Sequence, residues 1–404
     1  MVRRNRKSGN PSIRAAGLFA GIGGIELGLH RSDLDISTDL LCESWKAAQA
    51  VLSTRFDAEI APDVRTLREL PETVNLVAAG FPCTDLSQAG RTAGIDGEQS
   101  GLVTHVFELL ARRSSRGRPV TWLLVENVQN MLALDRGRAM RFVVDELTRL
   151  GYRWAYRVVD SRFTGVAQRR RRVILLASPT EDPRTVLFAD DAGEPSATRY
   201  KSDAFGFYWT EGRGGLGWAQ DAVPTLKGGS TIGIPSPPGI WVPNAEPGRR
   251  LVMPSVEDAE ELQGFDRGWT APADEGRRNG PRWKLVGNAV TVGVAEWVGD
   301  RLTSPEPYSL ADEPWSGEGS WPNAAWGESR RVWRVEASEY PRLAPYRHLA
   351  ETVDLEGAQP LSHKGARGFW RRLEPTRLGG HPGFREATLE HVELTDPTIG
   401  ELSA

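Results

Sequence analysis

Residues 17–30 read GLFAGIGGIELGLH, with glycine at positions 21, 23 and 24. The stretch follows the apolar run IRAAGLF (13–19) and precedes an amphipathic segment, so it reads as strand, glycine turn and helix. Glycines let a backbone approach a ligand closely, and the helix that follows presents free amides. Working outward, the same alternation continues to about Ala177: LLCES (40–44) then WKAAQAVLSTRF (45–56), VNLVAAGF (74–81) then GLVTHVFELLARR (101–113), VTWLLVEN (120–127) then MRFVVDELTRL (140–150), and finally RRVILLA (171–177). Short apolar strands alternating with helices predict an α/β fold, a doubly wound and mostly parallel sheet buried on both faces. Ligands of such sheets bind beyond the carboxyl ends of the strands.

The 404 residues are 39% hydrophobic and 25% charged, with a net charge of −3, a globular composition long enough for two domains or one large domain with insertions. No run approaches the ~18 apolar residues of a membrane span, and the basic start MVRRNRKSGNPS leads into no long apolar core, so a cytoplasmic protein without a secretory signal is expected. Two cysteines, Cys42 and Cys83, are too few for a disulfide framework or an independent zinc site, and no metal is expected. The near-zero charge excludes a uniformly basic nucleic-acid coat but leaves local clusters: RRNRK (3–7), RRSSRGR (112–118) and QRRRR (168–172).

After about Ser178 the alternation gives way to a stretch rich in Gly, Pro and Trp, residues 206–243, which reads as an irregular second lobe. PSVEDAEELQGF (254–265) predicts a helix with Ser255 as N-cap and Gly264 as stop, and LVGNAVTVGVAEWVGDRL (285–302) returns to helical periodicity. A Pro- and Trp-rich linker (304–326) then precedes a charged C-terminal region with a helix in FREATLEHVEL (384–394). The expected division is 1–180, 181–280, a returning helix at 281–303, and an extension over 304–404.

Several residues at strand ends carry chemistry. Glu43 ends the second strand, where a carboxylate can accept from both ribose hydroxyls or stand solvated; Asp63 can hold an adenine amine or cap a turn. With the glycine turn they point to an adenosine-bearing ligand. Cys83 follows the apolar strand, behind a proline in GFPCTDLSQAG (80–90), with Gly90, Gly94 and Gly97 available as hinges. It therefore reads as a nucleophile, whereas Cys42, inside LLCES, reads as a packing residue. Glu126 closes a buried strand, where poor solvation favours a protonated carboxyl able to serve a ring nitrogen; the alternative is an exposed Glu126 beside an Asn127 helix cap. In QRRRR, alternation on an entering strand sets Gln168, Arg170 and Arg172 on one face, a site for a base or phosphate or else a solvated edge.

In this order and at these separations, LFAGIGG, GFPC with SQAG behind it, VENV, QRRRR and LVGNAV resemble the DNA cytosine carbon-5 methyltransferase family of bacterial, restriction-modification type, over roughly residues 13–180 and 250–302. The resemblance implies a class I, Rossmann-like methyltransferase domain that binds S-adenosyl-L-methionine, with 181–280 as a target-recognition lobe. It implies that Cys83 adds to carbon 6 of a cytosine flipped out of duplex DNA, that Glu126 binds the exocyclic amine and ring nitrogen 3, and that the methyl group passes to carbon 5. Carried over residue by residue, Phe19 packs on the adenine, Gly21 and Gly23 admit the methionine part, Glu43 binds the ribose, Asp63 the adenine, and Leu102 forms an apolar wall. Arg170 and Arg172 support the flipped base, and Asn288 in GNAV supplies a late cofactor contact from the returning helix.

Two positions depart from the family pattern: Thr84 stands where Gln usually follows the cysteine, and Ser44 follows Glu43 where an aromatic residue often covers the adenine, with Trp45 next door. The aromatic residues of the recognition lobe (Phe207, Tyr208, Trp209, Trp218, Trp241), together with Arg213, suit either groove contact or a small core, and SHKGARGFWRRLEPTRLGG (362–380) suits either DNA affinity or a helical cap. The implied partners are double-stranded DNA and a cognate restriction endonuclease, for a nucleoid-associated monomer. The alternatives are the tRNA-modifying branch of the same chemistry and a catalytically silent DNA regulator that retains the cofactor.

Overall fold

The computed structural model describes residues 12–82, 101–210, 215–229, 236–274, 280–317 and 319–397. Two compact units emerge: residues 1–164, 171–194 and 289–343 form the first, and residues 165–170, 195–288 and 344–404 the second.

In the first unit, β1 (Ile13–Leu18), β2 (Ile36–Cys42), β3 (Glu59–Ala61), β4 (Leu76–Ala79) and β5 (Trp122–Val128) run parallel in the order β3-β2-β1-β4-β5. The apolar runs exist because both faces are covered. Val77, Ala79, Leu123 and Val125 enter one core with the helices Leu102–Ser115 and Arg138–Arg149, while Leu76, Ala78 and Leu124 enter a second core with the helices Gly24–Arg31 and Val292–Thr303. Successive strand residues alternate between the two cores, as a period of two requires.

Beyond β5 the sheet becomes antiparallel. The strand Arg171–Ser178 pairs with β5 on one side and with β6 (Arg153–Asp160) on the other, and three short strands at 312–314, 324–328 and 331–335 extend the sheet to ten. Arg157, fully buried on β6, donates to the carbonyls of Ser338 (2.8 Å) and Asp190 (2.6 Å) and pairs with Asp191 at 2.5 Å.

A five-stranded antiparallel sheet forms the centre of the second unit, ordered 219–220, 205–207, 239–241, 251–253 and 359–360. Phe207, Tyr208 and Trp241 are buried, and Phe207 packs with Phe369 and Phe384 of the C-terminal helices. These three aromatics are core; Trp209 and Trp218 are half-buried, and Arg213 lies outside the described residues.

Two expectations about organisation are corrected. The periodic stretch 285–302 is two helices, Arg282–Asn288 and Val292–Thr303, broken at 289–291, and only the second belongs to the first unit. The first is held in the second unit at Gly287, where any side chain would run into the Lys227 backbone. The region after 303 is not one extension: 304–343 completes the first unit's sheet and core, and 344–404 supplies a strand and two helices to the second.

The Gly24–Arg31 and Val292–Thr303 helices cross at Gly28, where a Cβ would overlap the Val292 carbonyl and lie 2.7 Å from Ala295 Cβ. Replacing a helical glycine by alanine ordinarily stabilises by up to about 1 kcal/mol. Here the sign reverses, and Gly28→Ala is expected to cost about 1–3 kcal/mol through overpacking, read as a lower urea midpoint at unchanged slope.

Candidate active site

β1 is flanked by β2 on one side and β4 on the other, so the chain reverses direction of travel across the sheet at this strand. A crevice opens beyond its carboxyl end. There Phe19 (φ 57°), Gly21 (φ 56°) and Gly23 (φ 79°) all take left-handed backbone conformations. Such a conformation is costly for Phe19, and the surroundings hold it: Ala20 N donates to Cys42 O (3.1 Å), Gly23 N to Ala20 O (2.8 Å) and Gly80 N to Leu18 O (3.3 Å). Gly23 must also lack a side chain, because a Cβ there would strike the Phe56 ring. A Cβ at Gly21 would meet nothing within 4 Å. The turn is braced from behind and open above Gly21, which fits a ligand laid against the backbone.

The brace is Glu43. Its Oε2 accepts from Gly21 N (2.9 Å) and its Oε1 from Trp45 N (2.7 Å), so the carboxylate is oriented while each oxygen keeps a second lone pair for a hydroxyl. Asp63 follows β3 at the same edge, its carboxyl gripped by Arg65 Nε at 3.0 Å and held below the usual range chiefly by that side-chain bond. Any amine it receives shares the carboxylate with that guanidinium. Phe19 stands edge-on to Phe81 at 6.5 Å, so the ends of β1 and β4 carry facing rings. Leu102 begins the Leu102–Ser115 helix, half-buried against the first core.

Cys83 and Thr84 lie outside the described residues, as do Gly90, Gly94 and Gly97; the chain before them is described through Pro82. Asn127 fixes that approach. Its Nδ2 donates to Phe81 O (3.0 Å) and its Oδ1 accepts from Val128 N (2.9 Å), so it ties β5 to the residue two before the cysteine and caps no helix. Sequence reasoning assigned Asn127 no part in the site; the signal was a polar residue inside a strand that continues to Val128. Cys42 is buried, and burial, reinforced by Asp63 and Glu43, pushes its thiol up to about 12, which leaves it inert at neutral pH.

Glu126 is buried beside Asn127, and Arg172 Nε lies 3.0 Å from its Oε1. The antiparallel register sets Arg172 opposite Val128, diagonal to Glu126 on the same face. The expected carboxyl in apolar surroundings is therefore corrected: Glu126 has a cation for a neighbour. Burial pushes the Arg172 guanidinium down and Glu126 opposes that shift.

Arg170 and Arg172 do not share a face, a second correction. The strand is interrupted at Arg170, whose buried guanidinium donates to the carbonyls of Leu226 (3.1 Å) and Gly287 (3.4 Å) within the second unit. Buried Gln168 joins it there, donating to Leu262 O (3.0 Å) and accepting from Leu226 N (2.9 Å). Both bond to backbone of the second unit, and Gln168 also donates to Gln263 Oε1 (3.0 Å). Asn288, expected on the returning helix, ends the preceding helix in the second unit with its side chain against Gly228.

The sequence reading also passed over Glu26. It is fully buried on the Gly24–Arg31 helix, Gly17 of β1 leaves room for its carboxyl, and its Oε2 has no hydrogen-bond partner. Burial raises its pKa to about 7.

A doubly wound sheet with a braced glycine turn at the reversal of strand order, and a buried carboxylate at the end of β5, is the arrangement of an α/β enzyme whose ligand lies beyond the carboxyl ends of its strands. Residues 13–202 match the family model described as C-5 cytosine-specific DNA methylase. The chain is 45% identical over 372 residues to the Type II methyltransferase M2.BsuMI of Bacillus subtilis (strain 168), covering 89% of this chain and 93% of that one. It is 30% identical over 200 residues to the Type II methyltransferase M.BanI of Aneurinibacillus aneurinilyticus, 48% of this chain and 45% of that one. Among solved structures, the Dnmt2 methyltransferase of S. pombe shares the fold at a TM-score of 0.50 and 14% identity, over 71% of this chain and 97% of that one. The chain belongs to the C-5 cytosine-specific DNA methylase family. Its activity is that of a DNA cytosine-5 methyltransferase.

Glu26 yields a pH prediction. Its carboxyl has an ordinary value of 4.5 and titrates near 7 in the folded protein. Between these values the folded state binds more protons than the unfolded one, so the stability tied to the protonated group is full below about pH 4.5 and lost as pH rises through 7. The loss is on the order of 3 kcal/mol by pH 8. Glu26→Gln is expected to raise the urea midpoint at pH 8 and leave it near wild type at pH 4; an equal shift at both values would remove the carboxyl as its cause.

Proposed function

We propose that the protein methylates carbon 5 of a flipped cytosine within a specific duplex DNA sequence, using S-adenosyl-L-methionine bound at the Phe19–Gly23 turn and a covalent adduct through Cys83. The observation that carries this reading is the Asn127–Phe81 bond, which fastens the residue beside Glu126 to the root of the cysteine loop. A carboxylate and the chain leading to the thiol thereby share the edge at which the glycine turn opens.

The open backbone at Gly21 takes the methionine part, with Gly23 allowing the turn. Phe19 packs on the adenine, Glu43 receives the ribose hydroxyls, Asp63 the adenine amine, and Leu102 walls the apolar side; Asn288 adds a late contact. When bound, the cofactor supplies an electrophilic methyl group on a positively charged sulfur.

The Cys83 thiolate forms a bond to carbon 6 of cytosine and pushes an electron pair towards carbon 5. Glu126 accepts from the exocyclic amine and holds the proton at ring nitrogen 3 that balances the charge, while Arg172 fixes its direction. Carbon 5 takes the methyl group, the donor's sulfur–carbon bond breaking to leave a neutral thioether. Its proton then passes to a base, the carbon–sulfur bond breaks, and thiolate and aromatic ring are restored. Arg170 acts at one remove, by holding the backbone at Leu226 and Gly287. The Type II names of the relatives support a cognate restriction endonuclease as the partner in the cell. Among the described residues no helix is long and apolar enough to cross a membrane.

Incubation with S-adenosylmethionine and mixed-sequence duplex DNA, followed by digestion and mass spectrometry, is expected to yield 5-methylcytosine. Cys83→Ser should abolish the product and Glu126→Gln lower the rate on the order of 10²–10⁴-fold. Product on tRNA alone, or undiminished product from Cys83→Ser, would overturn the reading.

A further inference from the structure

Most of the arginines in the described basic clusters already have partners inside the fold. In 112–118, Arg113 is buried against the carbonyls of Arg118 (3.0 Å) and Pro71 (2.8 Å), Arg116 pairs with Glu69, and Arg118 pairs with Glu72 at 2.7 Å. In 168–172, Arg170 holds backbone, Arg171 pairs with Glu339, and Arg172 with Glu126.

The helix His363–Leu373 of the second unit differs. Ala366, Phe369 and Leu373 bury one face in the aromatic core, and Arg372 Nη2 donates to Trp209 O (2.6 Å), whose indole in turn donates to Pro237 O (3.0 Å). The helix is thus anchored to the recognition-lobe segments at 209 and 237. On its other side Lys364, Arg367 and Arg371 are exposed at positions i, i+3 and i+7, one continuous stripe. Among the described residues none of the three has an acidic partner within ion-pair distance. Like charges at this spacing repel by a few tenths of a kcal/mol per pair. In contrast to the arginines of the 112–118 and 168–172 clusters, these three cations stand open to solvent.

We propose that this stripe docks on the phosphate backbone of the duplex substrate, as a sequence-independent contact made by the C-terminal region. Lys364 to Arg371 spans seven residues, about 10.5 Å along the helix axis. One DNA strand presents a phosphate every ~3.4 Å of rise, so the stripe spans about three phosphate intervals of one strand. A row of point charges on a rigid helix, with no aromatic or amide side chain among them, suits backbone contact rather than base readout. The inference rests on the duplex-DNA reading above and adds where part of the affinity resides.

The test is the full-length triple variant Lys364→Gln/Arg367→Gln/Arg371→Gln, with binding to duplexes of unrelated sequence followed by fluorescence anisotropy against salt. Each cation in contact contributes about 0.9 to the slope of log K on log salt, so the slope should flatten by about that amount per residue, with equal loss of affinity on every sequence. Arg116→Gln/Arg118→Gln, which removes two cations already paired, should leave the slope at the wild-type value. If the triple variant does not fold, Arg367→Gln alone should flatten the slope by about 0.9. A slope equal to wild type, a change matched by the paired-arginine control, or a loss confined to one sequence would overturn the proposal. Absence of methylated product from the wild-type protein would instead strike the functional reading, while the slope comparison still decides the stripe.

Discussion

Everything in the candidate site depends on where β1 lies in the sheet. The chain runs outward from β1 to β2 and β3 and then returns to β4 on the other side of β1, so the strand order reverses there and a crevice opens beyond the carboxyl end of β1. The turn from Phe19 to Gly23 must then reverse within a few residues, which demands left-handed backbone at three of them. One carboxylate stabilises the result: Glu43, at the end of the neighbouring strand, takes the Gly21 amide and leaves the ligand side open. The rings of Phe19 and Phe81 meet edge-on because β1 and β4 are adjacent, and Glu126 follows because β5 is next to β4.

Arginine does three separate jobs here. Arg157 and Arg170 are structural cations, buried and directed at carbonyl oxygens, where the planar fork serves several acceptors at once. Arg172 is electrostatic, set against Glu126 by a strand register. The exposed stripe at 364, 367 and 371 faces outward. Composition cannot separate these uses, because the same residue type satisfies buried acceptors, paired carboxylates and external anions.

The two cysteines illustrate how position within an apolar run translates into reactivity. Cys42 sits inside β2 among apolar residues, with two carboxylates near the strand's end, and both burial and charge oppose its thiolate. Cys83 follows the β4 run in the sequence behind a proline, and Asn127 secures the backbone at Phe81, two residues before it. The same edge of the sheet thus silences one thiol and carries the chain to the other.

The sequence by itself determined the α/β class, five strands of the first sheet with the helices that follow the first four, and the strand-end positions of Phe19, Glu43 and Glu126, because local periodicity and glycine placement report which residues a buried parallel strand can tolerate. It also determined the family, through ordered motifs. Partnerships were left to the tertiary structure. That Arg170 turns into the second unit while Arg172 meets Glu126, that 285–302 breaks at 289–291, and that 304–404 is divided between two units all depend on contacts between residues distant in the chain. The same holds for Glu26: its carboxyl lies in a helix that reads as amphipathic, and only the packing of that helix on Gly17 buries it. Periodicity records the environment of one element; the partner of a charged side chain is set by the register and packing of another.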